Sequence, residues 1–240
     1  MTSEKRLFID KFETTFLLIF VFYIIVLTIN IMVHVASIYT APSLKEDLAS
    51  SLKTPWGIVT SLFVHSDTPH LINNMVVLFI FLLLLLSLNL LYSKNELKSQ
   101  IMNSIITIFS IPILLNAFWA ICHPEIKVYG SSGIVYALQG VCFGFSFLNS
   151  LKIRKIRWIS RVEKRHLLLI FLFNIIVFTI FIIGFIVSPI EILGDKDEAT
   201  VWLHGFSFFF GFITVIMLFM LHILNYIYKI RNFTYKIIKF

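Results

Sequence analysis

Four side chains of this sequence are of types that perform acyl transfer, and each stands in an otherwise apolar stretch: His70, Asn74, Ser132 and His204. A serine hydroxyl becomes a nucleophile when a neutral imidazole takes its proton. Amide or imidazole N–H groups aimed at the attacked carbonyl oxygen then hold the charge that develops there. Ser132 lies in Gly130-Ser131-Ser132-Gly133, flanked by small residues, and His204 follows in a later apolar stretch. His70 and Asn74 are four apart, so on a helix they share a face and can donate toward one point. By the same periodicity Tyr136 falls directly beneath Ser132, whereas Ser131 is turned away by ~100°, which makes Ser132 the better nucleophile candidate. The Tyr136 ring also offers a surface against which His204 can pack.

The elements that must position these groups are membrane spans. Of the 240 residues 58% are hydrophobic and only 14% charged, with a mean hydropathy of +0.91, far from the balance of a soluble domain. Six windows are free of charge: Thr14–Leu44, Thr68–Ser93, Ser99–Pro124, Val128–Leu151, His166–Ile190 and Ala199–Tyr228. Each exceeds the roughly 20 residues a helix needs to cross the hydrocarbon. They are apolar on every face rather than alternating, so they read as helices and not as barrel strands. The expected fold is an all-α membrane protein, a six-transmembrane-helix bundle. It forms a single domain over residues 1–240 with short tails at 1–13 and 229–240. No Asp or Glu falls in any window, so a Ser-His-Asp arrangement has no third member and the pair must work as a dyad.

Charge placement orients the bundle. Sixteen of the 20 Lys and Arg residues fall in the amino-terminal tail, the 94–98 turn, the 152–165 loop and the carboxy-terminal tail, whereas Lys45, Lys53, Lys127 and Lys196 occupy the other side. By the positive-inside rule both termini are cytoplasmic, and the connections at 39–67, 122–130 and 189–198 face outward. The net charge of +7 thus reports topology in a lipid bilayer, and no nucleic-acid partner is expected. Cys122 and Cys142 lie about ten residues apart in depth along their helices, which disfavours a disulfide, and no metal-ligand spacing is present. No metal or organic cofactor is implied.

Under this topology the second, fourth and sixth windows all run inward from the outer face. His70, Asn74, Ser132 and His204 each lie near the start of their window, so they meet at one depth in the outer half of the membrane. Polar side chains there are costly unless they face a protein interior or a wet cavity. The fourth window repeats small residues at Gly133, Ala137, Gly140 and Gly144, which permits close backbone approach and makes it the expected central helix. Pro112 is a possible kink in the third. The segment from Pro55 to His65 is apolar but too short to cross; it is expected to lie sideways at the interface, anchored by Trp56. His34, His123, His166 and His222 lack comparable company and read as interfacial or packing residues.

The set His65-x4-His70-x3-Asn74, then Gly130-Ser131-Ser132-Gly133 with Tyr136 and Ala137, then His204 with Gly211 seven further on, resembles the rhomboid intramembrane serine proteases. The resemblance implies Ser132 as nucleophile, His204 as base, and His70 and Asn74 as oxyanion donors with the Ser132 amide. Tyr136, Gly130, Gly133, His65 and Trp56 would be supporting residues. It also implies an endopeptidase that cuts transmembrane protein substrates of the prokaryotic cell membrane near its outer face, with the fifth window and the 189–198 loop as gate and cap. Two departures stand out: Gly57 follows Trp56 where the family usually has Arg, and Ser207 stands three after His204 where Gly is frequent. A catalytically silent, client-binding relative and a histidine-lined proton channel are the rivals. The first would lack the serine or the histidine, and the second needs ionisable groups through both leaflets.

Overall fold

A computed structural model describes residues 3–39, 43–89, 94–155 and 198–238, with a few isolated positions between 169 and 179. Its helices are α1 (Ser3–Tyr39), the single turns α2 (Leu44–Asp47) and α3 (Gly57–Thr60), α4 (Thr68–Asn89), α5 (Lys94–Cys122), α6 (Ser132–Lys155) and α7 (Glu198–Ile238). A 3₁₀ turn at Ser61–Phe63 follows α3. Among the described residues there is no strand beyond isolated bridges. Among the described residues five helices are long and apolar enough to cross a membrane: Phe12–Tyr39, Thr68–Asn89, Glu96–Cys122, Ser132–Asn149 and Trp202–Leu221. The chain is an all-helical integral membrane bundle. Apart from those isolated positions, the fifth charge-free window, with the gate and cap assigned to it, lies outside the described residues.

The hub is α6. Of its spanning residues 72% are buried, against 39% or fewer in the other spans, and it packs on α7, α4 and α5. Backbone proximity makes this possible at one stripe: a Cβ at Gly140 would overlap the Phe208 carbonyl, and one at Gly211 would overlap the Ala137 carbonyl. Leu82, Leu85, Ile108, Leu138 and Val141 fill the seam among α4, α5 and α6. Around this core the outward-facing apolar residues of α1, including Leu17, Ile25 and Met32, suit a lipid solvent. α5 runs unbroken through Pro112, whose ring lies against Gly133.

Local chemistry sets where α4 begins. The Asp67 carboxylate accepts the His70 amide at 2.8 Å, an N-cap three residues into the helix, and Pro69 occupies the first turn where its missing N–H costs nothing. That amide, together with the Ser66 hydroxyl, holds the Asp67 carboxyl below its ordinary range.

The segment between α1 and α4 is tied to itself and to the approach to α6. The Trp56 indole donates to the Asp47 carbonyl at 2.8 Å, and the Thr60 hydroxyl to the Leu48 carbonyl at 3.0 Å. Ser50 and Val128 exchange backbone hydrogen bonds of 2.9 and 3.4 Å, and Lys127 pairs with Glu46 at 2.8 Å. The departure at Gly57 has a direct cause. Its Cα faces the Ala49 carbonyl so closely that any Cβ would overlap it, so this loop cannot carry an arginine there. The ties just named hold the loop in its place.

Candidate active site

Ser132 is the first residue of α6 and His204 lies in the second turn of α7. The Gly140 and Gly211 contacts bring these helices close enough for the two side chains to meet. Ser132 Oγ and His204 Nε2 are 2.5 Å apart, a buried hydrogen bond. The imidazole lies on the Tyr136 ring, centroids 4.4 Å apart and planes at 25°. Since Tyr136 is one turn below Ser132, α6 carries both the hydroxyl and the surface on which the imidazole rests.

A small cavity opens beside the pair. It is lined by Ser132, His204, Gly130, Gly133, Asn116 and Ser207, and walled by apolar groups such as Leu62, Pro112 and Leu203. A polar, partly enclosed pocket of this kind is suited to a water or to one small substrate group. Ser207 is 1% exposed and contributes a hydroxyl where glycine would leave bare backbone.

A second serine–histidine pair lies next door. Ser131 Oγ and His65 Nε2 are 2.7 Å apart, both residues 1% exposed, and neither lines the cavity. Ser132, not Ser131, therefore faces the space that a reactant could enter. Gly130 precedes them at φ 137°, a conformation open to glycine and costly for other residues, and its amide donates to the Ser61 carbonyl at 2.9 Å. The Ser131 carbonyl accepts from Ile134 and Val135, starting the helix. The amides of Ser132 and Gly133 have no partner among the described residues, as expected for the first turn of a helix.

His70 and Asn74 lie on the adjoining face of α4. Asn74 is buried, and its Nδ2 donor has no hydrogen-bond partner among the described residues. His70 is half-buried; its Nδ1 meets the Ser66 hydroxyl at 3.0 Å. Neither residue lines the cavity beside Ser132 and His204, so the resting arrangement does not aim the two donors into that pocket.

His34 is a packing residue, one of the two readings its sequence allowed, but it has the company the sequence did not show: it is buried, meets the Thr68 hydroxyl at 3.0 Å and sets its ring edge-on to His65 at 6.4 Å. His65 in turn lies edge-on to His70 at 5.5 Å. Burial above all, aided by repulsion from His70 and His34, pushes the His65 imidazole down to about 3, so it is neutral at any ordinary pH. The only sequence signal for this row was that His34, His65, Thr68 and His70 all fall near the outer ends of their segments. Among the described residues no group of His, Cys, Asp or Glu is arranged to hold a metal ion.

Compared with known families, the chain matches the Rhomboid domain over residues 52–221. No curated protein and no solved structure matches it.

Proposed function

The chain belongs to the rhomboid family, and on that premise we propose that it is an intramembrane serine endopeptidase working through Ser132 and His204. The observation that carries this reading is the buried 2.5 Å hydrogen bond between Ser132 Oγ and His204 Nε2 at the edge of a polar cavity. A client-binding relative without activity has no need to keep a nucleophile and a base in contact, since burying both is costly.

In the proposed reaction His204 Nε2 takes the hydroxyl proton as Ser132 Oγ bonds to the carbonyl carbon of a substrate peptide. The tetrahedral oxyanion is held by the Ser132 amide at the start of α6 and, once bound substrate draws them toward the cavity that they do not line at rest, by the Asn74 side-chain amide and His70. The C–N bond then breaks, and the proton on His204 passes to the leaving amine. Water attacks the acyl-enzyme by the reverse route, with His204 again as base, and frees Ser132. Tyr136 orients the imidazole by stacking, which supplies the positioning part of what a buried carboxylate does in a triad. A regular helix hides its carbonyls in its own hydrogen bonds; the substrate is accordingly a membrane protein whose spanning segment unwinds locally.

The charge distribution supports cytoplasmic termini and a site in the outer half of the membrane, within one rhomboid-like domain; the richness in Ile, Phe, Lys and Asn favours a prokaryotic cell membrane. The test is cleavage of a single-span substrate co-reconstituted in liposomes. Wild type cuts within or beside the span, while Ser132→Ala and His204→Ala do not. Equal cutting by Ser132→Ala would overturn the reading, and a folded wild type that binds the substrate without cutting it would favour the client-binding alternative.

A further inference from the structure

Serine immediately before a helix ordinarily turns its hydroxyl inward to accept an amide of the first turn. Ser131 stands in that position before α6, and its carbonyl does accept from Ile134 and Val135. Its hydroxyl does not cap. It points away from the helix to His65 Nε2 at 2.7 Å, in a contact from which solvent is excluded. We propose that Ser131 is a positioning residue, which through its hydrogen bond to His65 fixes the Ser132 amide and hydroxyl at the mouth of the cavity.

Two consequences follow from the diverted hydroxyl. Among the described residues the amides of Ser132 and Gly133 have no partner, and they stand at the positive end of a 24-residue helix, which suits the charge that forms on the carbonyl oxygen when Ser132 attacks. The Ser131 side chain also ties the turn to His65, four residues beyond the Ser61 carbonyl that holds the Gly130 amide. The backbone ties, from Gly130 to Ser61 and from Val128 to Ser50, end before Ser131. Without the His65 contact, the residue adjoining Ser132 has no side-chain restraint.

His65 is itself immobilised. It follows the 3₁₀ turn and lies edge-on to both His34 and His70, and His34 is held by the Thr68 hydroxyl. Because its ring is kept neutral by burial, the anchor does not weaken by charging across ordinary pH. The row thus links α1, the start of α4 and the turn before α6 through one serine hydroxyl.

This inference rests on Ser132 and His204 being the hydrolytic pair, and its test separates the two claims. Turnover of a single-span substrate by full-length protein in liposomes is compared for wild type, Ser131→Ala and Ser131→Thr, with His65→Gln and His65→Leu as a second pair. Ser131→Ala is expected to lower kcat by about 10- to 100-fold with little change in KM. Ser131→Thr and His65→Gln, which keep a hydrogen-bonding group, recover most of that loss relative to Ser131→Ala and His65→Leu. Hydrogen exchange of the same proteins reads the anchor without reference to activity: Ser131→Ala should speed exchange at residues 130–133 and leave the α6–α7 seam unchanged. Unchanged exchange overturns the inference even if no variant, wild type included, cleaves. Faster exchange with wild-type kcat also overturns it, because Ser131 would then be structural only. An active Ser132→Ala would instead overturn the underlying assignment.

Discussion

The Tyr136 ring lies 4.4 Å from the His204 imidazole with the planes at 25°, so the orienting surface for the proposed base comes from the helix that carries the proposed nucleophile. Any shift of α6 moves both together. Stacked aromatic pairs contribute about 0.5–1.5 kcal/mol beyond buried area, so Tyr136→Ala is expected to slow reaction with a fluorophosphonate by about 2- to 10-fold. Tyr136→Phe, which keeps the ring, should stay near the wild-type rate. Equal losses in both variants would mean that the hydroxyl, not the stack, is what matters.

Asn74 offers a prediction in which activity and stability move in different directions. Its amide nitrogen is buried without a partner, so Asn74→Ala breaks no hydrogen bond from that atom and removes an unsatisfied donor. Melting temperature should hold or rise. Turnover should fall by about 10²- to 10³-fold, the usual loss for an oxyanion donor. Because Asn74 does not line the resting cavity, unchanged turnover would remove it from the oxyanion site.

Gly140 tests whether helix packing and the reacting pair are one construction. Its Cα meets the Phe208 carbonyl with no room for a side chain, and Phe208 is one turn after His204 on α7. Gly140→Val should force the helices apart, lower stability by about 1–3 kcal/mol and separate Ser132 from His204. Unfolding in detergent and fluorophosphonate labelling should both report the loss. A stable Gly140→Val protein that labels normally would show that the pair does not depend on this seam.

The burial of His65 makes stability depend on pH. The His65 imidazole, near 6.5 in an unfolded chain, is pushed down to about 3 by burial and its histidine neighbours. Below pH 6.5 the unfolded state takes up a proton that the folded state refuses. Stability therefore falls as pH drops from about 6.5 toward about 3, by at most ~1.4 kcal/mol per pH unit, and His65 adds no slope above that window. Melting across the window should show a shallower decline for His65→Gln than for wild type. Identical slopes would assign the acid sensitivity to other groups.

Much of the membrane architecture was legible because it depends on local composition. A charge-free run of sufficient length is a span wherever it lies, and small residues at Gly140 and Gly144 announce a close helix contact. Ser132 and His204 stood out for the same reason, since few polar atoms interrupt these windows. What was not legible depends on distant contacts. No periodicity connects His34 to Thr68 or His65, and Ser131 could be placed on the other face of the helix without revealing what it meets there. The Trp56-Gly57 departure looked like a lost contact in the sequence. Only the approach of the Ala49 carbonyl shows why a side chain is excluded. The aim of His70 and Asn74 was also beyond the sequence: four-residue spacing puts them on one face, but the direction of that face is set by how α4 packs on α6.

The most direct test of the account is the site of covalent modification. Purified wild-type protein would be treated with a fluorophosphonate, digested, and the adduct located by mass spectrometry. The account predicts a single adduct on Ser132, absent from His204→Ala and unaffected in position by His65→Gln. An adduct on Ser131, or one on Ser132 that forms equally fast without His204, would contradict it.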